Sequence, residues 1–337
     1  PTAAADHQTS NAQALAEAGA ARHVPESQLD GARIEAELTH LLGAPGTLAT
    51  MQAAARERGQ PEASTRIATA LAQLLGDALR QPATRSQSTA AAAAPATAPD
   101  AEDVQLVALG AEHPIHLMGI GGAGMNPLAE WLLEQGAQVS GCDHQESEAV
   151  ARLRRLGASI EIGHEAAHVD DAAALVITAA IAPDHPELAR ARSRGIPVLK
   201  RAAALGAIVN PGRVIAVAGT HGKTSTSALT MHLLIEAGLD PTGFIGGHVS
   251  AWEGNLRSGS SDLFVVEADE YDRSFHHLRP EVAVVTNLEA DHLDIYGDLA
   301  GVQQSFRTFA DRLVPGGALI ICADDPGVCQ VFAAHPA

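Results

Sequence analysis

Aromatic side chains are nearly absent from this 337-residue sequence, at 3% of residues. Its cores must therefore be built from Ala, Val, Leu and Ile, and the 46% hydrophobic content is enough to do so, which excludes a wholly disordered chain. Positive charge is also short. The 22 basic residues face 40 acidic ones, and the net charge of −18 repels a phosphate backbone, so nucleic acid is excluded as a partner. Lysine occurs only at Lys200 and Lys223, so a lysine inside a motif is not a random solvated charge. Three cysteines, Cys142, Cys322 and Cys329, are too few and too irregularly spaced for a disulfide framework or a C-x-x-C zinc site. They read as buried thiols in a reducing compartment. No apolar run approaches the roughly 18 residues of a membrane helix, and the start PTAAADHQTS has no signal-peptide character. The expectation is a soluble cytoplasmic protein with no transmembrane segment. A start at Pro1 rather than Met suggests a fragment or a processed chain.

The length is too great for one ordinary core and implies two or three domains. The clearest boundary is QPATRSQSTAAAAAPATAPDAED, residues 81 to 103, which has three prolines, nine alanines and no larger apolar residue. Such a segment cannot anchor itself in a core and reads as a disordered linker. Before it, Ile34, Leu38, Leu41 and Leu42 share a helical face, and Ile67, Leu71, Leu74 and Leu75 repeat the spacing. Gly43, Pro45, Gly59 and Pro61 punctuate these stretches, so residues 1–80 are expected to be mainly helical. After the linker, short apolar runs near residues 115, 138, 175, 214, 263, 282 and 318 alternate with helical stretches. That alternation predicts α/β architecture with parallel sheets covered on both faces.

Two glycine-rich turns carry the chemistry. In IHLMGIGGAGM a strand runs into Gly119, Gly121 and Gly124, spaced G-x-G-x-x-G, and a helix-compatible run follows from Asn126. Such a turn lets the backbone approach a diphosphate at a helix N-terminus. Asp143 follows Gly124 by 19 residues, at the end of the next strand, where an acid can bond a ribose hydroxyl. NAD is the default ligand of such a turn, and a UDP-sugar is equivalent at the diphosphate. In VIAVAGTHGKTSTSALTMHLL a strand leads to Gly219, Gly222, Lys223 and Thr224 and then to a helix. Backbone N–H groups, an ammonium and a hydroxyl in that order make a P-loop for a triphosphate and Mg2+. The loop is a shortened variant, because Val217 stands where the longer motif has its first glycine.

Two later strands end in acidic clusters, Glu267-Ala268-Asp269-Glu270 and Asn287-Leu288-Glu289-Ala290-Asp291-His292-Leu293-Asp294. Strand carboxyl ends are where open α/β sheets bind ligands. Hard carboxylate oxygens suit Mg2+, and a neutral imidazole can hold a second cation. Alone, each such acid would read as a helix cap. Behind a P-loop they read as metal ligands. The remaining histidines, the His276-His277 pair among them, read mostly as surface or satisfied core residues, and Cys142 as a small buried hydrophobe.

Five segments in order, HLMGIGGAGM, VSGCD, VAGTHGKTSTS, VVEADEYDRSF and TNLEADHLDIYGD, resemble the Mur ligases of peptidoglycan synthesis, most closely those that join L-alanine to UDP-N-acetylmuramate. The resemblance implies a Rossmann-like UDP-binding domain over 113–210 and a shortened central ATP-binding domain over 211–337, after a linker over 81–112. Gly119, Gly121, Gly122, Ala123, Gly124 and Asp143 would bind the UDP-sugar. Gly219, Thr220, His221, Gly222, Lys223, Thr224 and Ser225 would bind ATP. Lys223, Glu267 and His292 would be catalytic, with Thr224, Glu267 and His292 holding Mg2+. It further implies that ATP phosphorylates the muramoyl carboxylate, that the L-alanine amine attacks the acyl phosphate, and that the chain associates with other cell-wall enzymes. The related murein tripeptide ligases share the EADEYD motif but carry a longer insertion after it, and rank second. Mur ligases have a third domain with adenine and amino-acid contacts. Since the sequence stops at Ala337, soon after CADDP, it is expected to lack those contacts and not to turn over. Residues 1–80, beginning DHQTSNAQALAEAGAARHVPESQLDG at Asp6, resemble instead the C-terminal end of the MurG-type N-acetylglucosaminyltransferases, with Gln8 at a position contacting the glycosyl donor. The whole then reads as a fusion of two consecutive peptidoglycan enzymes. A nicotinamide-dependent dehydrogenase and a non-catalytic nucleotide-binding fragment are the competing readings.

Overall fold

A computed structural model describes residues 12–13, 15–25, 28, 33, 36–37, 39–41, 46–58 and 105–335. The chain divides into two units, Pro1–Ser86 and Gln87–Ala337. In the first, the longest described element is helix α1 (Thr47–Arg58), lying between the punctuating residues Pro45 and Gly59. Ile34, Leu38 and Leu42 of the first expected helical face, the whole of the second, the linker stretch 81–103 and Gln8 lie outside the described residues.

The second unit runs α2 (Leu106–Leu109), β1 (Ile115–Met118), α3 (Asn126–Glu134), β2 (Val139–Asp143), α4 (Glu148–Arg155), β3 (Ser159–Ile162), β4 (Ala174–Ile177), α5 (Pro186–Ser193), β5 (Val198–Lys200) and α6 (Arg201–Val209). It continues with β6 (Arg213–Ala218), α7 (Lys223–Glu236), β7 (Thr242–Val249), β8 (Gly254–Arg257), β9 (Leu263–Glu267), β10 (Val282–Val285), α8 (Leu293–Tyr296), α9 (Leu299–Ala310), β11 (Ala318–Ile321) and α10 (Pro326–Phe332). The strands form a five-stranded sheet, ordered β3-β2-β1-β4-β5, and a six-stranded sheet, ordered β11-β10-β6-β9-β7-β8. The first is parallel throughout. The second is not, because β8 pairs antiparallel with β7 through an irregular register between Phe244 and Val249. The expectation of purely parallel sheets is therefore corrected at one edge. There a short connection returns the chain directly, which only an antiparallel pair allows.

Central strands β1, β4 and β6 are buried almost throughout, as expected of strands covered on both faces. In both sheets the strand that carries a glycine turn is central. β1 lies between β2 and β4, and β6 between β10 and β9, so each turn opens where the winding direction reverses. Such switch points leave a crevice at the strand carboxyl ends.

Scarce aromatics are concentrated rather than spread. Phe275 stacks on Phe309 with centroids 4.9 Å apart and meets Phe306 edge-on at 5.2 Å, all three fully buried. This cluster pins the 3-10 segment Tyr271–His277 against α9. From the other side, Asn210 donates to the His277 carbonyl at 2.8 Å and accepts from the Arg279 N–H at 2.8 Å. The segment after β9 is thereby held between α9 and the end of α6. Of the three free thiols only Cys142 is buried. Cys322 and Cys329 are half-buried, contrary to expectation, since both lie at the β11–α10 edge beyond the last strand pairing. Among the described residues no helix is long and apolar enough to cross a membrane.

The β7–β8 edge is tied by Asp240, whose carboxylate accepts from the Ser260 N–H at 2.8 Å and from Arg257 at 2.7 Å. These bonds, the Ser260 backbone first, hold its pKa down to about 2 from 3.8. A depressed carboxylate stabilises the fold above its unfolded pKa and loses that contribution as pH falls. The Asp240→Asn variant is therefore expected to be less stable than the parent at neutral pH, with the gap closing between about pH 4 and pH 2. Urea midpoints measured along that acid limb check it, and a gap independent of pH would refute it.

Candidate functional site

The first glycine turn and the lysine that follows the second line one cavity of about 420 Å³. Gly119, Gly122, Ala123 and Gly124 approach it from the first sheet, and Lys223, Gly246 and Glu267 from the second. Asn255 donates to the Ala123 carbonyl at 2.6 Å, and Arg201 faces Asp269 at 3.6 Å, so direct contacts cross between the two halves at this cavity.

The first turn leaves β1 through Gly119 at φ 67°, a left-handed conformation that favours glycine. Its amides are partly spoken for. Gly119 and Ile120 donate to the Cys142 carbonyl at 2.8 and 3.1 Å, and Gly121 donates to Asp143 Oδ2 at 2.9 Å. Asp143 therefore braces the turn itself, and its other oxygen accepts from the His144 N–H. Gly124 packs under Arg201, a cation lining the cavity that sequence reasoning passed over. Its position at the carboxyl end of β5 was the available signal.

In the second turn, the loop from Gly219 to Gly222 is fixed by the end of β10. His221 N–H donates to Asn287 Oδ1 at 2.7 Å, Thr286 Oγ1 donates to the His221 carbonyl at 2.7 Å, and Glu289 N–H donates to Thr220 Oγ1 at 2.9 Å. α7 then begins at Lys223, capped by Gly222, and turns its free N–H groups toward the loop, an anion site by geometry. Ser225 lies exposed on its first turn. Gly219 has φ 137°, and a Cβ there would fall 2.0 Å from Thr286 Oγ1 and 3.1 Å from two backbone nitrogens. Gly219→Ala is thus expected to destabilise the chain by roughly 2–4 kcal/mol through strain and overpacking. Urea denaturation measures this, and a loss within roughly 0.5 kcal/mol of zero would show that the loop can move aside.

Lys223 folds back onto its own loop. Nζ donates to the carbonyls of Gly219 at 2.7 Å and Thr220 at 3.2 Å and pairs with Glu270 at 2.8 Å. Glu270 is buried, with a pKa raised by burial and pulled back by the Lys223 charge. Its backbone carbonyl accepts from the Tyr296 hydroxyl. The residues expected to hold Mg2+, with His292 at a second ion, lie in two groups. Thr224 Oγ1 donates to Glu267 Oε1 at 3.0 Å, and Gly246 N–H donates to Glu267 Oε2 at 2.7 Å. His292, in a left-handed conformation at φ 51°, joins Glu270 and Asp291, with ligand atoms within 4.8 Å of one another. Glu270 and Asp291 stood in the acidic clusters but were not singled out. Nothing in the linear sequence distinguished Glu270 from its three neighbours, because burial against Lys223 is what sets it apart.

Chemically, the arrangement offers an ammonium, an arginine and the Glu267 carboxylate on one cavity, with a helix N-terminus at Lys223 and a second set of donors, Glu270, Asp291 and His292, reached through the Lys223–Glu270 pair. This defines an α/β protein with two nucleotide-type turns, the second of P-loop type. The chain belongs to the Mur ligase family. The Mur ligase family catalytic domain matches residues 114–213 and the Mur ligase middle domain residues 217–335. Residues 1–67 match the glycosyltransferase family 28 C-terminal domain, so both parts of the fusion are present in one polypeptide. A UDP-N-acetylmuramate--L-alanine ligase of Nocardioides sp. is 48% identical over 223 residues, 66% of this chain and 50% of that protein. The protein of the same name from Methylibium petroleiphilum is 49% identical over 219 residues, 65% of this chain and 47% of that protein. Among solved structures, the UDP-N-acetylmuramate:L-alanyl-gamma-D-glutamyl-meso-diaminopimelate ligase of Neisseria meningitides aligns with TM-score 0.62 and 31% identity, covering 66% of this chain and 75% of that one. The UDP-N-acetylmuramate-alanine ligase of Thermotoga maritima aligns with TM-score 0.59 and 31% identity, covering 65% and 51%. The chain spans about half the length of the curated relatives it matches.

Proposed function

We propose that the chain carries the UDP-N-acetylmuramate and Mg-ATP sites of a ligase that joins L-alanine to the muramoyl carboxylate, in the cytoplasm and together with other cell-wall enzymes. The observation that carries this reading is the cavity lined by the first glycine turn on one side and by Lys223 and Glu267 on the other. A diphosphate on the first turn and a triphosphate on the second would bring a carboxylate and a γ-phosphate together. Residues 113–210 would bind the UDP-sugar and 211–337 the ATP.

The donor set fits Mg-ATP. Thr224 and Glu267 supply a hydroxyl and a carboxylate 3.0 Å apart, hard oxygens suited to Mg2+. Glu270, Asp291 and His292 supply a second oxygen-rich group, with the imidazole of His292 presented by its left-handed backbone. When bound, Mg-ATP supplies the phosphoryl group that activates the carboxylate. Lys223 exchanges its carbonyl bonds for phosphate oxygens, the α7 N-terminus receives their charge, and Arg201 faces the substrate side. Phosphoryl transfer needs such positioning and charge neutralisation more than covalent help from the protein. The structural match to a tripeptide-adding ligase favours a second reading in which the acceptor is a peptide amine rather than L-alanine.

Calorimetric titration of the 337-residue chain tests the proposal. Saturable binding of UDP-N-acetylmuramate and of Mg-ATP is expected, with no heat from NAD. Binding of NAD alone would overturn it in favour of a dehydrogenase-type site. Heat from the peptide acceptor but not from L-alanine, in the ternary mixture, would move the reading to the tripeptide ligases.

A further inference from the structure

A second cluster of metal-ligating side chains lies outside the nucleotide cavity. Alternation along β1 and β2 puts His116, Ser140 and Cys142 on the face of the first sheet that packs against α5. Glu187, in the first turn of α5, reaches down to that face and is fully buried. Cys142 Sγ stands 3.2 Å from Glu187 Oε2 and 3.1 Å from His164 Nδ1, and His116 Nε2 stands 3.9 Å from the same Glu187 oxygen. One ligand atom each from His116, Cys142 and Glu187 fit within 4.8 Å of one another.

The cluster lacks something as a purely protein network. His116 is 1% exposed, and its Nδ1 is bonded to Ser140 Oγ at 2.9 Å, yet its Nε2 has no partner. Whichever way the Ser140 hydroxyl turns, Nε2 is left facing a carboxylate without a hydrogen bond. Among the described residues no lysine or arginine reaches Glu187, whose ion-pair partners are histidines and which accepts from the Cys142 thiol and from the Glu165 N–H, each at 3.2 Å. His168 Nδ1 lies 3.0 Å from Oε1 and the Cys142 thiol donates to Oε2 at 3.2 Å, which leaves His116 Nε2 as the buried atom of the cluster without a partner.

We propose that His116 Nε2, Cys142 Sγ, Glu187 and His164 Nδ1 form a structural site for a zinc-class divalent cation beneath the first glycine turn. Bonds of about 2.0–2.3 Å in a tetrahedron put ligand atoms about 3.3–3.8 Å apart. Cys142 stands 3.2 Å from Glu187 and 3.1 Å from His164, His116 stands 3.9 Å from Glu187, and His164, outside the 4.8 Å group of the other three, takes the fourth position by a shift of its ring. A dication with one thiolate and one carboxylate is neutral overall, the charge state a buried site tolerates. Ser140 on His116 Nδ1 and the Glu165 amide on Glu187 are the outer bonds that orient ligands in such sites. Binding forms a metal–sulfur bond, and the thiol proton of Cys142, held on by burial in the metal-free protein, goes to solvent. Entry is from the His164 side, where that ring is partly exposed and meets His144 and His185 edge-on. Because Gly119 and Ile120 hang from the Cys142 carbonyl, the ion would stiffen the turn above it.

The test is titration of the chelator-treated 337-residue chain with Co2+ in excess Mg2+, which saturates hard-oxygen sites. One equivalent giving a thiolate-to-cobalt charge-transfer band, displaced by Zn2+ and releasing one proton, is expected, together with a raised thermal midpoint on adding Zn2+. Cys142→Ser should abolish the band and weaken Zn2+ binding about tenfold or more, while Cys322 and Cys329 remain. If that variant does not fold, His164→Ala at the open edge should weaken binding similarly. No charge-transfer band in the parent chain, or a band that persists in Cys142→Ser, overturns the proposal. Neither outcome touches the ligase reading, whose ligands bind elsewhere.

Discussion

Replacing Lys223 by alanine is expected to abolish Mg-ATP binding while leaving UDP-N-acetylmuramate affinity unchanged. The side chain is the one ammonium at the second turn, and it is already desolvated, bonded to two loop carbonyls and paired with a buried carboxylate. Removing one partner of such a charge pair costs about 2–5 kcal/mol, beyond what the loop amides can restore. The variant also leaves Glu270 buried without a counter-charge, so a fall in stability accompanies the loss of binding. The two effects separate in the double variant Lys223→Met, Glu270→Gln, which removes the orphaned charge. Its thermal midpoint should return toward that of the parent while ATP binding stays absent. Calorimetry with each nucleotide measures the outcome, and unchanged ATP affinity in Lys223→Ala would sink the P-loop assignment.

Glu270→Gln should separate nucleotide from metal in the opposite way. The parent residue places a negative charge, or a carboxyl with a raised pKa, against the lysine that must meet a triphosphate. Removing that charge relieves repulsion, so metal-free ATP is expected to bind more tightly. Glu270 is also one of three ligand-bearing residues in the cluster with Asp291 and His292. The enhancement of ATP binding by Mg2+ should therefore fall, by about tenfold or more, equivalent to about 1.4 kcal/mol. Titrations with and without Mg2+ give both numbers. A variant in which the two affinities move together would show that Glu270 only anchors the lysine.

Much of the site was legible before the fold because glycine turns are local. Gly119, Gly219, Lys223 and Thr224 sit on strand-turn-helix units whose spacing fixes their neighbours, and β1, β6, β9 and β10 were readable as apolar runs. Strands β3, β5, β7 and β8 were not. β5 has three residues, β7 is interrupted by Gly246 and Gly247, and β8 has only Leu256 buried, so none carries an apolar period long enough to register. A second ion at His292 was expected, but its grouping with Glu270 and Asp291 was hidden, since it depends on which strand ends meet.

The sequence alone determined the two phosphate-type turns, their order and the alternation that makes α/β sheets, because each rests on contacts within about 30 residues. Tertiary structure decided which side chains those turns face. Burial placed Glu270 against Lys223, winding reversal in both sheets brought the first turn and Lys223 to one cavity, and packing of α5 on the first sheet gathered His116, Cys142 and Glu187. Partners 47 and 71 residues apart, Glu270 from Lys223 and Glu187 from His116, are chosen by desolvation and strand order, which local spacing does not encode.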